Sequence, residues 1–181
     1  MMRIIAGKHR SRKLAVPETA DIRPTSDRAR EALFSMLQHR LGTFESVVVL
    51  DAFCGSGAQG LEALSRGAEQ VFKMDSAKAA LDLARKNAAT LGETAHCVFL
   101  QADAAHPPSA PKPCHLLLLD PPYHKDLAEK SLQALTEKGW AAPAALACVE
   151  TARDEEFAPP DGWNLVAERV HGAAKLWLLE R

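Results

Sequence analysis

The chain has 181 residues, 47 % of them hydrophobic and 25 % charged, which is the composition of a folded globular domain and excludes a disordered or fibrous chain. No apolar run approaches the roughly 20 residues of a membrane span, and the N-terminal residues lack a signal-peptide pattern, so we expect a cytoplasmic protein without a membrane partner. The formal net charge is −1, but residues 1–40 carry nine Lys and Arg against four Asp and Glu. This asymmetry predicts either a basic patch for an anionic partner or an ordinary solvated surface. The four cysteines form no C-x-x-C pair, so neither a metal centre nor a redox pair is expected.

The start of the chain predicts a small basic β-hairpin followed by a helix. RIIAG and RKLAVP are short strand-like segments separated by the basic KHRS. A helix follows in IRPTSDRAREALFSMLQHRL, where Thr25, Ser26 or Asp27 is a candidate N-cap. We treat residues 1–42 as an N-terminal extension and residues 43–181 as the main domain. The expected apolar face of the helix consists of Ala29, Leu33, Met36 and Leu37.

From Val47 onward, strand and helix patterns alternate. The strand-like segments are VVVLD, VFKMD, HCVFLQAD, CHLLLLD and ALACVET, and the helical ones are LEALSRG, AKAALDLARKNAATLG and DLAEKSLQALTEKG. Such alternation predicts a parallel sheet with helices on both faces. WNLVAERVHGAAKLWLLER predicts a closing antiparallel hairpin around Gly172, which gives an α/β fold with a mostly parallel sheet of seven strands. Gly92 is expected to end the second of these helices. That helix is expected to bury Ala80, Leu83, Ala84 and Leu91.

Carboxylates stand at the ends of four successive predicted strands. They are Asp51, Asp75, Asp103 and Asp120. In open α/β sheets ligands bind beyond the carboxyl ends of the strands. One acid at such a position carries little information, whereas four in succession predict a ligand site along this edge. Asp103 is equally suited to accept a hydrogen bond from an adenine amine and to cap a turn.

A G-x-G-x-x-G motif, formed by Gly55, Gly57 and Gly60, follows the first strand of the main domain. The spacing allows a tight turn and the close approach of a ligand to the start of a helix, although a plain strand-to-helix turn is the structural alternative. Asp75 lies at the distance from Gly55 at which a carboxylate reaches a ribose hydroxyl. This pairing fits a nicotinamide dinucleotide and S-adenosylmethionine alike. Asp51 favours S-adenosylmethionine, because an acid ahead of the glycines binds an ammonium group and repels a pyrophosphate.

The fourth of these strands ends in DPPY. The two prolines stop the strand, but they explain neither Asp120 nor Tyr123. An exocyclic base amine is a poor nucleophile because its lone pair is delocalised into the ring. The Asp120 carboxylate and the Pro121 carbonyl can accept the two hydrogens of such an amine and free its lone pair, while Tyr123 offers a stacking face worth about 1–3 kcal/mol. The motif therefore predicts methylation of an amine, and the structural alternative is a rigid strand end with Asp120 as a surface cap.

Longer segments carry a family resemblance. DAFCGSGAQGLEALSRG, FLQAD and LLLLDPPY together resemble the class I S-adenosylmethionine-dependent methyltransferases with a D-P-P-Y or D-P-P-F amine site. RIIAGKHRSRKLAVP and IRPTSDRAREALFSML closely resemble the bacterial RsmD family, which methylates a guanine N2 in 16S ribosomal RNA. The resemblance runs from Arg3 to the end of the chain, and RPTSDRAREALF is its most specific part. It implies a Rossmann-like fold, S-adenosylmethionine as donor with S-adenosylhomocysteine as product, the small ribosomal subunit as partner, and a monomer without a metal.

The resemblance also implies residue roles. The implied cofactor-binding residues are Asp51, Phe53, Gly55, Ser56, Gly57, Asp75, Asp103 and Ala104. The implied amine site consists of Asp120, Pro121, Pro122 and Tyr123. The expected RNA-binding residues are the basic Arg3, Lys8, Arg10, Arg12 and Lys13, to which the resemblance adds Arg23, Thr25 and Arg28. Gln59 and Ala77 depart from the family pattern, which commonly has an apolar residue and a second acid there, and neither departure removes an assigned role.

Other functions stay open at this point. Sites of the DPPY type also serve adenine N6, cytosine N4 and glutamine, so a DNA or protein amine methyltransferase is one alternative. A non-catalytic RNA-binding module with a vestigial cofactor pocket is an alternative from another class. The intact set of Asp51, Asp75, Asp120 and Tyr123 argues against such decay. A nicotinamide oxidoreductase is the most distant alternative.

Overall fold

The computed structural model describes residues 2–17 and 27–181. Its main sheet contains strands β3 (Val48–Ala52), β4 (Gln70–Asp75), β5 (Cys97–Gln101), β6 (Cys114–Leu119), β7 (Ala141–Ala152), β8 (Asn164–His171) and β9 (Ala174–Glu180). These seven strands follow the order β5-β4-β3-β6-β7-β9-β8. Strands β3 to β7 pair in parallel, and β9 pairs antiparallel with both β7 and β8. The predicted α/β fold class is confirmed, including the closing hairpin.

Four α-helices are present in the described residues: α1 (Asp27–Leu41), α2 (Ala58–Ser65), α3 (Lys78–Leu91) and α4 (Leu127–Glu137). None of them is long and apolar enough to cross a membrane. The predicted N-cap candidates Thr25 and Ser26 lie outside the described residues, and Asp27 is the first residue of α1. Gly92 ends α3 in the left-handed conformation with φ 74°, as expected of a C-cap glycine.

The predicted buried faces of α1 and α3 need one correction. In α1, Ala29, Leu33 and Leu37 are buried and Met36 packs against the core, as predicted. In α3 the buried face is rotated from the prediction, because Ala80 and Leu83 are only partly buried. The N-terminal extension packs on α3, so this helix has a second buried contact that the sequence pattern does not show. The buried residues of α3 are Leu81, Ala84, Asn87, Ala88 and Leu91.

The predicted hairpin forms, but its strands β1 (Met2–Arg3) and β2 (Lys13–Leu14) have only two residues each. The segments RIIAG and RKLAVP had predicted longer strands. The shortening has a physical cause, because the N–H groups of Ile5 and Ala6 donate to the side chain of Glu62 in α2. A backbone group that is bonded to α2 cannot also extend the ladder.

The leucine run of β6 places the DPPY turn (Asp120–Tyr123) at the edge of the sheet. Leu116 and Leu118 pack into the core on the side of α1 and α2, whereas Leu117 and Leu119 pack on the side of α4. The strand is therefore covered on both faces, as a continuous apolar run predicts. Its end coincides with the carboxyl edge of the parallel strands, where the next residues are exposed to a cavity.

Candidate active site

A cavity of about 770 Å³ opens at the carboxyl edge of the parallel strands. The sequence predicted most of its lining. The predicted residues in the lining are Phe53, Asp75, Asp103, Asp120, Pro121, Pro122 and Tyr123, and Ser76, Leu127 and Glu150 complete it. Four of these residues are acids, yet the described part of the chain holds no group of three or more His, Cys, Asp or Glu side chains suited to a metal ion.

The glycine loop, residues 53–57, contributes Phe53 to the lining of this cavity, whereas the predicted cofactor residues Gly55, Ser56 and Gly57 are not in the lining. Phe53, Gly55 and Gly57 adopt left-handed conformations with φ of 58°, 51° and 78°, so the chain turns sharply between β3 and α2. The Gly55 N–H donates to Oδ2 of Asp75 at 3.0 Å, and the Ala77 N–H donates to Oδ1 at 2.9 Å. These two bonds hold the Asp75 carboxylate at the end of β4, where it lines the cavity.

A buried lysine lies beneath the glycine loop. Lys73 is fully buried, donates to the Gly57 carbonyl at 2.8 Å, and has its Nζ 3.4 Å from Oδ2 of Asp51. The same Asp51 oxygen accepts the Gly60 N–H at 3.0 Å. A Cβ on Gly60 would lie 2.6 Å from Nζ of Lys73, so close packing of α2 on the sheet accounts for this glycine. The sequence reasoning missed Lys73, because nothing in VFKMD marks a charged residue as buried.

Asp51 lies deeper in the sheet than predicted, within β3 and not at the edge of the cavity. It is 3 % exposed and is not among the residues that line the cavity. Burial raises the pKa of its carboxyl group, and the nearby Lys73 opposes that shift. Its bond from the Gly60 N–H holds α2 against β3, and the expected contact with an ammonium group stays a prediction.

Asp103 caps a turn, which is one of the two roles that its sequence context allowed. Its Oδ1 accepts the Ala105 N–H at 2.9 Å, and its Oδ2 lies 2.9 Å from Nδ1 of His106. The hydrogen bond with His106 lowers the pKa of Asp103. The residue therefore caps the turn after β5 and also lines the cavity, whereas Ala104 is buried outside the lining. The predicted adenine contact stays a prediction.

The DPPY turn meets a second carboxylate that the sequence analysis did not select. Leu119 of β6 pairs in register with Val149 of β7, so Asp120 and Glu150 follow on adjacent strands. Glu150 accepts a hydrogen bond of 2.5 Å from the hydroxyl of Tyr123. Burial raises the pKa of Asp120 well above its ordinary value, and the charges of Glu150 and Asp51 add to this shift. A sequence signal existed, because Glu150 directly follows the apolar run ALACV, as Asp120 follows the leucine run.

The predicted RNA-binding residues fall into two groups. Arg23 and Thr25 lie outside the described residues, and the other six are exposed. Arg3 pairs with Asp27 at 2.8 Å, Lys8 pairs with Glu93 at 2.5 Å, and Arg12 donates to the Thr90 carbonyl at 2.7 Å. Within the described residues, the remaining three have no ion pair or side-chain hydrogen bond; these are Arg10, Lys13 and Arg28.

The N-terminal extension is attached to the main domain by buried polar contacts. The Glu62 carboxylate accepts the Ile5 and Ala6 N–H groups at 2.8 and 3.1 Å. The Ser65 hydroxyl donates to the Ala6 carbonyl at 2.5 Å. A Cβ on Gly7, whose φ is +81°, would lie 1.8 Å from the Ser65 carbonyl oxygen. The hairpin therefore lies so close to α2 that only glycine fits there.

One side chain joins the extension to the glycine loop. The Nδ2 atom of Asn87 in α3 donates to the carbonyl oxygens of Ala15 at 3.0 Å and Ser56 at 2.9 Å. Its Oδ1 accepts the Ala15 N–H at 2.8 Å. Ser56, an expected cofactor residue, is thus at the contact between extension and loop, and its hydroxyl lies 3.5 Å from the Met2 sulfur.

Comparison with known proteins finds relatives along nearly the whole chain. The family model described as Conserved hypothetical protein 95 matches residues 2–180. The ribosomal RNA small subunit methyltransferase D of Haemophilus influenzae is 38 % identical over 175 residues, which cover 94 % of this chain and 89 % of that protein. The protein of the same name from Escherichia coli K12 is 35 % identical over 181 residues, covering 99 % and 90 %. The solved structure of yhhF from Escherichia coli matches with a TM-score of 0.87 at 33 % identity, covering 99 % of this chain and 97 % of that one.

Proposed function

We propose that this chain, which belongs to the RsmD family of ribosomal RNA small subunit methyltransferases, transfers a methyl group from S-adenosylmethionine to N2 of a guanine in small-subunit ribosomal RNA. The observation that carries the proposal is the composition of one cavity. The DPPY turn, Phe53 of the glycine loop and Asp75, which accepts the Gly55 N–H, all line it. A base amine and a methyl donor would therefore meet in the same space.

The cavity suits S-adenosylmethionine in size and charge. About 770 Å³ lies within the range of roughly 300–1,000 Å³ for small-molecule sites. The lining acids, Asp75, Asp103, Asp120 and Glu150, favour a cationic ligand and would repel the pyrophosphate of a dinucleotide. Asp75 would hold the ribose hydroxyls, and the Phe53 ring offers an apolar wall. When bound, the cofactor supplies a methyl group on a positively charged sulfur.

The DPPY turn supplies the chemistry at the amine. Tyr123 would stack on the base, and the Asp120 carboxylate and Pro121 carbonyl would accept the two N2 hydrogens, which localises the nitrogen lone pair. The N–CH₃ bond would form as the S–CH₃ bond breaks, with S-adenosylhomocysteine as the leaving group. Asp120, whose raised pKa makes it an effective acceptor, would take one N2 proton and pass it to solvent.

The test is a mass map of ribosomal RNA from a strain with and without this gene. We expect one guanine to lose a methyl group in the deletion strain, and the purified protein with S-adenosylmethionine to restore it on isolated small subunits. Parallel reactions with naked ribosomal RNA, naked DNA and a protein extract cover the other amine substrates. Methylation of DNA or protein, with none on small subunits, would contradict the proposal. Absence of S-adenosylmethionine binding in a calorimeter would favour a non-catalytic RNA-binding module.

We also propose that the N-terminal extension, residues 1–42, contacts the ribosomal RNA. Its hairpin carries five exposed basic residues, and contacts of the hairpin with Glu62 and Asn87 hold this segment firmly against α2 and α3; they are Arg3, Lys8, Arg10, Arg12 and Lys13. A rigid basic surface next to the glycine loop would orient RNA toward the cavity. Electrostatic contacts of this kind do not depend on base sequence, so the target would be chosen at the cavity.

A further inference from the structure

Glu150 lines the cavity next to the DPPY turn. It follows Val149 in β7 as Asp120 follows the paired Leu119 in β6, so the two carboxylates stand beside each other at the sheet edge. Both line the cavity, and Glu150 is only 5 % exposed. Its bond with the hydroxyl of Tyr123 places it at the rim of that aromatic ring. A base stacked on the ring would therefore present its edge to Asp120 and Glu150 together.

The bases differ in what lies next to the amine. Guanine has the N1–H donor beside the N2 amine, so its edge offers two neighbouring donors. Adenine has the acceptor N1 beside its N6 amine, and cytosine has the acceptor N3 beside its N4 amine. Ionised carboxylates only accept hydrogen bonds, and one carboxylate accepts several at once, so the bond from Tyr123 does not exclude another donor.

We propose that Glu150 selects guanine by accepting a hydrogen bond from N1–H while Asp120 accepts from N2. This inference rests on the proposed function and adds to it the residue that recognises the base. Adenine or cytosine would place a ring-nitrogen lone pair against the Glu150 carboxylate, so no hydrogen bond would form between these two acceptors. A site built to bond a donor rejects analogues that lack that donor.

The experiment compares guanine with 2-aminopurine, which keeps the 2-amine but has no hydrogen on N1. Small subunits are reconstituted with RNA that carries either base at the mapped target position. Single-turnover methylation is then measured for the wild type, Glu150→Gln and the control Glu156→Gln, which changes an exposed glutamate outside the cavity. Melting curves confirm that each variant is folded. The 2-aminopurine base also lacks O6, but that loss is the same for all three proteins.

We expect the wild type to prefer guanine, and Glu150→Gln to reduce that preference by about ten- to a hundredfold. Glu156→Gln should leave the preference unchanged. If Glu150 only positioned Tyr123, Glu150→Gln would slow both substrates by the same factor, and that result would overturn the inference while guanine methylation by the wild type upheld the proposed function. A wild type that methylated a base other than guanine would overturn both.

Discussion

Asp120 is held in an environment that opposes its negative charge. It lines the cavity beside Glu150 of the neighbouring strand β7. Asp51 of the other neighbouring strand, β3, is close enough for its charge to act on Asp120. Burial and these two negative neighbours raise the pKa of Asp120. Such an arrangement is costly for a folded protein and is characteristic of sites where a carboxyl group takes up a proton or binds a cation.

The raised pKa predicts a pH dependence of the reaction. Only ionised Asp120 accepts the N2 hydrogens, so kcat/KM should fall as the pH drops through the raised pKa, at a higher pH than an ordinary Asp of about 3.9 would give. Glu150→Gln removes a negative neighbour and should move this acid limb to lower pH. The measurement is a pH profile of kcat/KM for both proteins, with Glu156→Gln as control. An unmoved limb would show that Asp120 does not govern it.

Asp75 gives a second prediction at the residue scale. Asp75→Asn keeps the size of the side chain but removes the charge that would bond the ribose hydroxyls. Loss of hydrogen bonds to a charged group, worth about 1.5–3 kcal/mol, should weaken S-adenosylmethionine and S-adenosylhomocysteine about ten- to a hundredfold alike. Calorimetry measures both, with the exposed Asp82→Asn in α3 as control. If a folded Asp75→Asn protein bound both ligands with unchanged affinity, Asp75 would not be part of the cofactor site.

At the element scale, the extension and α2 behave as one packed unit. Ile5 and Ala6 bond to Glu62, and Gly7 lies against the Ser65 carbonyl. These contacts are made by backbone groups of the hairpin, so they fix the position of its basic side chains without using them. Among these side chains, Arg10 and Lys13 are exposed and have no ion pair in the described residues.

Gly7→Ala tests this packing. The new Cβ would lie 1.8 Å from the Ser65 oxygen, so the hairpin must shift, and we expect a loss of about 1–3 kcal/mol in the free energy of unfolding. Gly42→Ala is a matched control, because Gly42 has a similar φ of +74° and nothing within 4 Å of a Cβ. Gly42→Ala should lose only about 1 kcal/mol in the free energy of unfolding, because alanine is strained at a positive φ. Denaturant unfolding compares the two, and equal losses would mean that the hairpin does not pack tightly on α2.

The salt dependence of RNA binding tests the basic surface. Arg10 and Lys13 are exposed and have no ion pair in the described part of the chain, so we expect both to bind phosphates. Arg10→Gln or Lys13→Gln should each reduce the slope of log K against log salt by about 0.7–0.9. Lys138→Gln, at the end of α4, should leave the slope unchanged. If neither Arg10→Gln nor Lys13→Gln altered the slope, the basic surface would be an ordinary solvated one.

At the scale of the whole molecule, the fold and most of the cavity lining were predictable for a physical reason. The alternation of strands and helices dictates a parallel sheet, and the ends of its strands meet at one edge. Asp75, Asp103 and Asp120 end strands or follow them, so they reach that edge whatever the loops do. Chain order alone therefore brought these acids together.

Contacts between distant segments were not predictable from the pattern. Lys73 lies in an apolar strand, and only the approach of Gly57 and Asp51 gives its charge a partner. The face of α3 was assigned from periodicity, whereas its burial also depends on the extension through Asn87. The role of Glu150 required the register of β6 and β7. Each miss concerns a polar residue whose partner lies far away in the chain.

The central claim is that Asp120 activates an amine for methyl transfer, and Asp120→Ala tests it most directly. The measurement is single-turnover methylation of small subunits, with affinities for S-adenosylmethionine and RNA measured in parallel and Asp161→Ala, an exposed residue outside the cavity, as control. We predict a rate about thirty- to a thousandfold lower than that of the wild type, by analogy with removal of one oxyanion donor, and nearly unchanged affinities. A near-normal rate from a folded Asp120→Ala protein would contradict the account and make Asp120 only the end of a strand.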